Sequence, residues 1–226
     1  MKLIKQRKLS GNIIGIILML TMVLAALIMS GLVKSLNDDI NFRLMLFCRF
    51  IFSLPILYSF GWYVRGNDLM KIKSRNILFC RVFIGLIGIC LWFSALQNAE
   101  FGQVTALTQS SALFVALFAP IFLSEKIGAW RISAIISGLI GIILITNPFD
   151  GALTIGVYLA LGSGVNGAVL SIILRKLGNT DEPVSVAIWH NSIGAIVFGI
   201  SLLLVTPDLP IFNFNLIFVL ITIGVA

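Results

Sequence analysis

The chain has 226 residues, of which 59% are hydrophobic and 11% are charged, with a formal net charge of +7. About a quarter of the residues of a soluble domain are charged, so this composition excludes an ordinary soluble fold. We predict an all-α polytopic membrane protein in the lipid bilayer, because helices satisfy their own backbone hydrogen bonds there. The positive charge then indicates orientation in the membrane rather than a nucleic acid partner.

Apolar stretches of about 18 to 24 residues recur along the chain, which is the length that a helix needs to cross about 30 Å of hydrocarbon. They predict seven complete transmembrane helices and the start of an eighth near residue 214, which stops in mid-span at Ala226. The predicted spans are 11–33, 42–63, 76–96, 102–123, 129–147, 154–174 and 185–205. Cys48, Cys80 and Cys90 fall inside spans without metal-ligand spacing, so we expect no metal site.

Basic residues occupy alternate connections between the spans. Those before the first span and in every second connection are Lys2, Lys5, Arg7, Lys8, Arg65, Lys71, Lys73, Arg75, Lys126, Arg131, Arg175 and Lys176. The other connections carry only Lys34 and Arg43. Because basic residues collect on the cytoplasmic side, we predict a cytoplasmic N-terminus. The apolar run after MKLIKQRK is too long for a secretory signal, which favours a first span.

The first and sixth spans share residues at equivalent positions, which suggests an internal duplication. The pairs are Gly15 with Gly156, Leu18 with Leu159, Leu20 with Leu161, Ser30 with Ser171, Lys34 with Arg175 and Leu36 with Leu177; after one inserted residue, Phe47 pairs with Trp189 and Arg49 with Asn191. One unit holds five spans, an odd number, so the second copy enters the membrane from the opposite side. This predicts an inverted repeat of five-helix units, 1–147 and an incomplete 148–226.

Spans four and five contain LTQSSALFVALFAPIFLSEKIGAWRISAIISGLIGIILI (107–145), which resembles the hallmark region of the EamA-like family of the drug/metabolite transporter superfamily. Glu125 and Lys126 match the Gly-Glu-Arg/Lys turn of that family, with Ser124 in place of glycine. The segment 111–114 matches its Ser-Pro-Leu-Phe stretch without the proline. Further matches in spans two and three are Arg49, Phe50, Pro55, Arg81, Gly85 and Gly88.

This resemblance implies ten spans in two inverted halves, with residues 1–147 as the first EamA-like repeat and 148–226 as part of the second. It implies a secondary transporter, or permease, that moves a small organic metabolite across the bacterial inner membrane by alternating access. The solute would be an amino acid, an S-adenosylmethionine-like compound or a drug, coupled to its own gradient, to protons or to exchange, and a homodimer is compatible with the sequence. The alternative is a C-terminally truncated, transport-inactive membrane protein that acts as a scaffold or subunit.

Polar and aromatic residues inside the spans are candidates for the substrate path, because polar groups in lipid are costly and turn inward. They are Arg49, Trp92, Thr105, Thr108, Gln109, Ser111, Asn166, His190 and Asn191. Structural alternatives remain open: Arg49 reaches the headgroups, Trp92 belongs to the core, and the other residues hydrogen-bond between packed helices. His190 would suit proton coupling, since histidine titrates near neutral pH.

Other conspicuous residues are expected to have structural roles. Arg81 lies near one end of span three, from which we expect it to reach the headgroups. Glu125 is expected to be the acid of a turn that starts a helix. GSGVNG (162–167) matches a dinucleotide fingerprint, but inside a span it predicts close helix packing. No protease, hydrolase or nucleotide-binding motif occurs, so we expect neither an enzyme nor a cofactor.

Overall fold

The computed structural model describes residues 2–36, 40–123, 128–146, 154–178, 180–204 and 214–225. The described residues are all-α, which confirms the predicted class. Their helices are α1 (Lys2–Ser35), α2 (Phe42–Arg65), a 3₁₀ turn (Gly66–Asp68), α3 (Arg75–Asn98), α4 (Phe101–Gln109), α5 (Ser111–Leu123), α6 (Ala129–Thr146), α7 (Ile155–Leu177), α8 (Pro183–Leu204) and α9 (Phe214–Val225).

Six segments within the described residues are long and apolar enough to cross a membrane. They are Ile13–Ser35, Phe42–Asp68, Arg75–Asn98, Phe101–Phe118, Ile155–Leu177 and Pro183–Leu204. The fifth of the seven predicted complete spans corresponds to α6, whose apolar part, Ile132–Thr146, is shorter than the others. The prediction of seven complete spans is therefore confirmed for six of them, and the predicted partial eighth is α9.

The fourth span, predicted as one helix over 102–123, is broken at Ser110. The backbone N–H of Ser110 contacts the Ala106 and Leu107 carbonyls, both at 3.2 Å. Its hydroxyl donates to the Leu107 carbonyl at 2.5 Å. A serine that bonds back to its own helix competes with the regular ladder and bends it. The interruption is confined to Ser110, because the Phe114 N–H still bonds to the Ser110 carbonyl at 3.3 Å, so α4 and α5 form one continuous span.

Close packing through glycine holds α7 and α8 in the bundle. α7 packs against α3, α4 and α5, and α8 packs against α2 and α3. A methyl group at Gly164 would lie 2.9 Å from the Leu107 carbonyl oxygen, and one at Gly194 would lie 2.7 Å from the Phe50 ring. Only glycine allows these approaches. The packing predicted for GSGVNG is thus confirmed, and α7 lies directly against the break in the fourth span.

Lys34, a basic residue on the sparsely charged side of the predicted topology, has a structural partner. Its Nζ donates to the carbonyls of Leu96 at 2.8 Å and Ala99 at 3.0 Å. These carbonyls lie at the C-terminal end of α3, where the last carbonyl groups have no N–H donor within the helix. This end is also the negative end of the helix dipole. Lys34 therefore ties α1 to the end of α3.

The connections before α3 and before α8 are joined by a carboxylate. Asp181 accepts hydrogen bonds from the backbone N–H groups of Lys73 at 2.5 Å and Ser74 at 3.1 Å, and the Thr180 hydroxyl donates to it at 2.8 Å. Burial alone would raise the pKa of the Asp181 carboxyl, but the bonds from Lys73, Thr180 and Ser74 outweigh it and hold this pKa below its usual value. The ionised carboxylate therefore fixes α3 relative to α8.

Candidate functional site

A cavity of about 310 Å³ lies between α3, α5, α7, α8 and the break in the fourth span. This volume is at the lower end of the range for small-molecule sites, about 300 to 1,000 Å³. Six of the nine predicted path residues line it: Trp92, Thr108, Gln109, Ser111, Asn166 and His190. The other lining residues are Gly85, Gly88, Ile89, Ser163, Gly167 and Leu170. We call this space the central cavity.

A second cavity of about 310 Å³ lies between α1, α3 and α4. It shares Trp92, Thr108 and Gln109 with the central cavity and adds Thr105. Its α1 wall is apolar except for Ser30, and consists of Met19, Met22, Val23, Ala26, Leu27 and Ser30. The three shared residues therefore form the boundary between two neighbouring spaces among the helices.

The central cavity has room for polar side chains because α3 carries glycines there. A methyl group at Gly85 would lie 2.8 Å from Cε1 of His190, and one at Gly88 would collide with Oδ1 of Asn166. Real Cβ atoms do not approach other atoms so closely, so His190 and Asn166 occupy the space that alanine would fill. Gly85 and Gly88, expected only to let helices pack, therefore also admit two predicted path residues.

Several polar atoms around the central cavity are buried without a hydrogen-bond partner. Among the described residues, the buried side-chain atoms of this kind are Nε of Arg49, Nε and Nη1 of Arg81, Oγ1 of Thr108, Oδ1 of Asn166 and Nδ1 of His190. A buried polar group without a partner costs about 1 to 3 kcal/mol, so such groups are few in a stable fold and call for an explanation. Three of these residues line the cavity, which gives the site unused hydrogen-bonding capacity.

Two positive charges flank the His190 end of the central cavity without lining it. Nη1 of Arg81 lies 3.1 Å from the position that a Gly85 methyl group would take, against the same glycine that His190 contacts. Phe50, which follows Arg49 on α2, meets the His190 ring edge-on with ring centres 5.5 Å apart. Arg81 was expected at the headgroups, but its Nε and Nη1 are buried one turn from Gly85, where the glycine leaves space for them.

Three predicted path residues lie outside the central cavity. Thr105 lines only the second cavity, and its hydroxyl donates to the Phe101 carbonyl at 2.7 Å. Arg49 lines neither cavity. Asn191 also lines neither, and its side chain joins α8 to α2, with Oδ1 2.8 Å from the Ser53 hydroxyl and Nδ2 donating to the Ala187 carbonyl at 2.9 Å. The turn residues Glu125 and Lys126 lie outside the described residues.

A larger cleft of about 940 Å³ lies among the connections at the ends of α2, α3 and α7. Its lining includes four basic and three acidic residues, namely Arg65, Lys71, Lys73, Arg75, Asp68, Asp181 and Glu182. Arg65 donates to the Ser185 hydroxyl at 2.7 Å, and Lys71 pairs with Asp68 at 2.6 Å. Several of its charged groups are therefore already bonded to the protein, in contrast to those at the central cavity.

The sequence did contain a signal for the residues that were not included in the predicted path. Arg81, Gly85, Gly88 and Trp92 recur at intervals of three or four residues, so they share one face of α3. Of this set, only Trp92 was predicted to line the substrate path. Glycine in a span is usually explained by packing alone, and Arg81 was expected to reach the headgroups. Ser163 carried no such signal, since nothing in the sequence shows that it faces α3 rather than lipid.

The fold and the central cavity define a polytopic α-helical membrane protein with a solute-sized space between its spans. The sequence profile of the EamA-like transporter family matches residues 13–147, more than half of the chain. The chain therefore belongs to the EamA-like transporter family, a family of transporters and not of enzymes.

Three relatives illustrate the range of this family. The chain is 30% identical over 156 residues to a riboflavin transporter of Vibrio cholerae, which covers 69% of this chain and 50% of that protein. It is 30% identical over 166 residues to solute carrier family 35 member G1 of Mus musculus, covering 67% and 45%. It is 24% identical over 151 residues to an S-adenosylmethionine uptake transporter of Rickettsia felis, covering 67% and 51%. The chain thus spans about half the length of these relatives.

Proposed function

We propose that the protein is a secondary transporter that moves a small organic metabolite across a bacterial inner membrane by alternating access. The observation that carries the proposal is the central cavity, where polar and aromatic side chains from four spans converge between the helices. The energy would come from the gradient of the solute, from protons or from exchange.

The pairing of helices supports an inverted repeat, with 1–147 as the first unit and 148–226 as part of the second. In that repeat α1, α2 and α3 correspond to α7, α8 and α9. Under this correspondence, the contact between α3 and α7 is equivalent to a contact between α9 and α1. The contact between α2 and α9 is likewise equivalent to one between α8 and α3. All four contacts are present. The contact between α2 and α8 is its own counterpart. These pairs are what a two-fold relation between two units requires.

The orientation in this proposal places the N-terminus in the cytoplasm. It follows from the basic connections, since Arg65, Lys71, Lys73 and Arg75 lie on the same side as Arg175 and Lys176.

The named solutes of two relatives, riboflavin and S-adenosylmethionine, both contain a planar heteroaromatic ring. In the proposed site Trp92 is the side chain suited to stack on such a ring. A homodimer stays a prediction.

Replacement of Trp92 tests the proposal. The full chain is reconstituted in vesicles and assayed for uptake of a metabolite panel that includes riboflavin and S-adenosylmethionine. We expect saturable uptake of at least one solute and a roughly tenfold lower rate for Trp92→Ala, because a stacked aromatic side chain contributes about 0.5 to 1.5 kcal/mol beyond its area. Trp62→Ala is the matched control, since Trp62 is 64% exposed on α2. No uptake of any solute by the wild type would contradict the proposal, and unchanged uptake by Trp92→Ala would exclude Trp92 from the site.

A further inference from the structure

Two partly buried cations in the spans, Arg49 and Arg81, have no carboxylate partner among the residues that the structure describes. Arg49 and Arg81 lie about two turns from the starts of α2 and α3, and arginine stays charged in proteins. The described α-helices, α1 to α9, contain no aspartate or glutamate. Of the acids near helix ends, Asp68 pairs with Lys71 at 2.6 Å and Asp181 binds the connection before α3. An intramembrane cation without a partner is costly, so its retention points to a ligand that supplies negative charge.

The two charges act at one end of the central cavity. Arg81 and His190 meet at Gly85, and Arg49 precedes Phe50, whose ring meets the His190 ring edge-on. His190 Nδ1 and two guanidinium nitrogens of Arg81 have no hydrogen-bond partner. A proton on His190 would add a third positive charge to this cluster, so the site is better suited to bind an anion than to carry a proton.

The opposite end of the cavity has a different character. Trp92 follows Gly85 by two turns of α3, which is about 10 Å along the helix axis. Asn166 contacts Gly88 between them, with its Oδ1 unpartnered. Along α3 the site therefore runs from a cationic end, past an amide, to an aromatic end bordered by Thr108 and Gln109.

We propose that the transported solute is an organic anion, whose carboxylate or phosphate group binds at the His190 end of the central cavity and whose planar part lies against Trp92. This inference rests on the proposed function as a solute transporter. Arg81 and Arg49 are positioning residues: they do not line the cavity, but their positive charge near its His190 end attracts the oxyanion and selects for charged solutes. The planar part of the solute is recognised elsewhere in the cavity. Neutral compounds of the same shape are poor substrates.

Matched probes that differ only in charge test this inference on the purified full chain. Riboflavin 5′-phosphate is compared with riboflavin, and indole-3-propionate with indole-3-propionamide, by the rise in unfolding temperature on binding. We expect at least one anion to bind roughly tenfold or more tightly than its neutral partner. The pair that shows the preference identifies phosphate or carboxylate as the recognised group. Equal binding within both pairs, or no binding of either anion, overturns the inference.

Variants of Arg81 separate charge selection from a structural role. We expect Arg81→Gln to abolish the preference for the anion, Arg81→Lys to retain most of it, and Arg75→Gln, an exposed arginine on the same helix, to leave it unchanged. Because Arg81→Gln removes an unpartnered charge, the empty protein should unfold at no lower temperature than the wild type. A lowered unfolding temperature with an intact anion preference would show a structural arginine and overturn the inference.

Binding and transport are separate measurements in this design. If no solute crosses the membrane although the anions bind, the proposed transport function fails and the anion site stands. If neutral solutes are transported as fast as the matched anions, the protein is a transporter and only the anion inference fails.

Discussion

Single glycines on α3 decide which side chains reach the central cavity. Gly85 and Gly88 lie where alanine methyl groups would meet His190 and Asn166. The same two positions bring α3 close enough to α7 and α8 for these side chains to face the cavity rather than lipid. The polar character of the site therefore depends on two residues that have no polar side chain themselves.

Replacement of Gly88 by alanine tests this dependence. The new methyl group forces the Asn166 amide to rotate away, and an amide that no longer bonds to the solute costs about 0.5 to 1.5 kcal/mol, or up to about tenfold in affinity. We expect weaker solute binding with little change in stability, because the end of a flexible side chain gives way. The control is Gly141→Ala on α6, where a methyl group meets nothing within 4 Å. Equal solute affinity of the two variants, measured by titration, would contradict this account.

At the scale of the helices, the sequence predicted most elements and missed one. The positions of the spans followed from apolar length, and α2, α3, α7 and α8 each lie within a few residues of prediction. The break at Ser110 was not predicted, because serine is common inside spans and the bond of its hydroxyl to Leu107 is a choice of rotamer that composition does not reveal. The burial of Arg81 was missed for a similar reason, since it depends on the packing of α8 over Gly85.

The Asp181 carboxylate gives the connection before α8 a dependence on pH. Its pKa is lowered in the folded protein from an ordinary value of 3.8, so the ionised form favours the folded state. The stabilising contribution of Asp181 is complete at pH values above its ordinary pKa. It is lost as the pH falls through the lower pKa that Asp181 has in the folded protein.

We expect Asp181→Asn to lower the unfolding temperature near neutral pH and to remove this part of its acid dependence. Glu182→Gln is the neighbouring control, since Glu182 is exposed. Unfolding temperatures followed from about pH 7 to pH 3 measure both effects. Parallel curves for the wild type and Asp181→Asn would refute the role of the carboxylate.

At the scale of the whole molecule, polar residues from distant parts of the sequence line the central cavity together. Trp92, Ser111, Asn166 and His190 come from four different helices, and their meeting depends on how α7 and α8 return against α3 and α5. Sequence patterns predicted that each was polar or aromatic in a span, but only the packing shows that Arg49 and Asn191 stay outside the cavity. The proposed two-fold relation between units gives a reason why residues from both halves converge there.

The most direct test of the central claim is an experimental structure of the full chain with a transported solute bound. We predict that the solute occupies the central cavity, in contact with Trp92, Asn166 and His190. A solute bound instead in the cleft beside Arg65 and Asp181, or at any place that leaves the central cavity without it, would contradict the account.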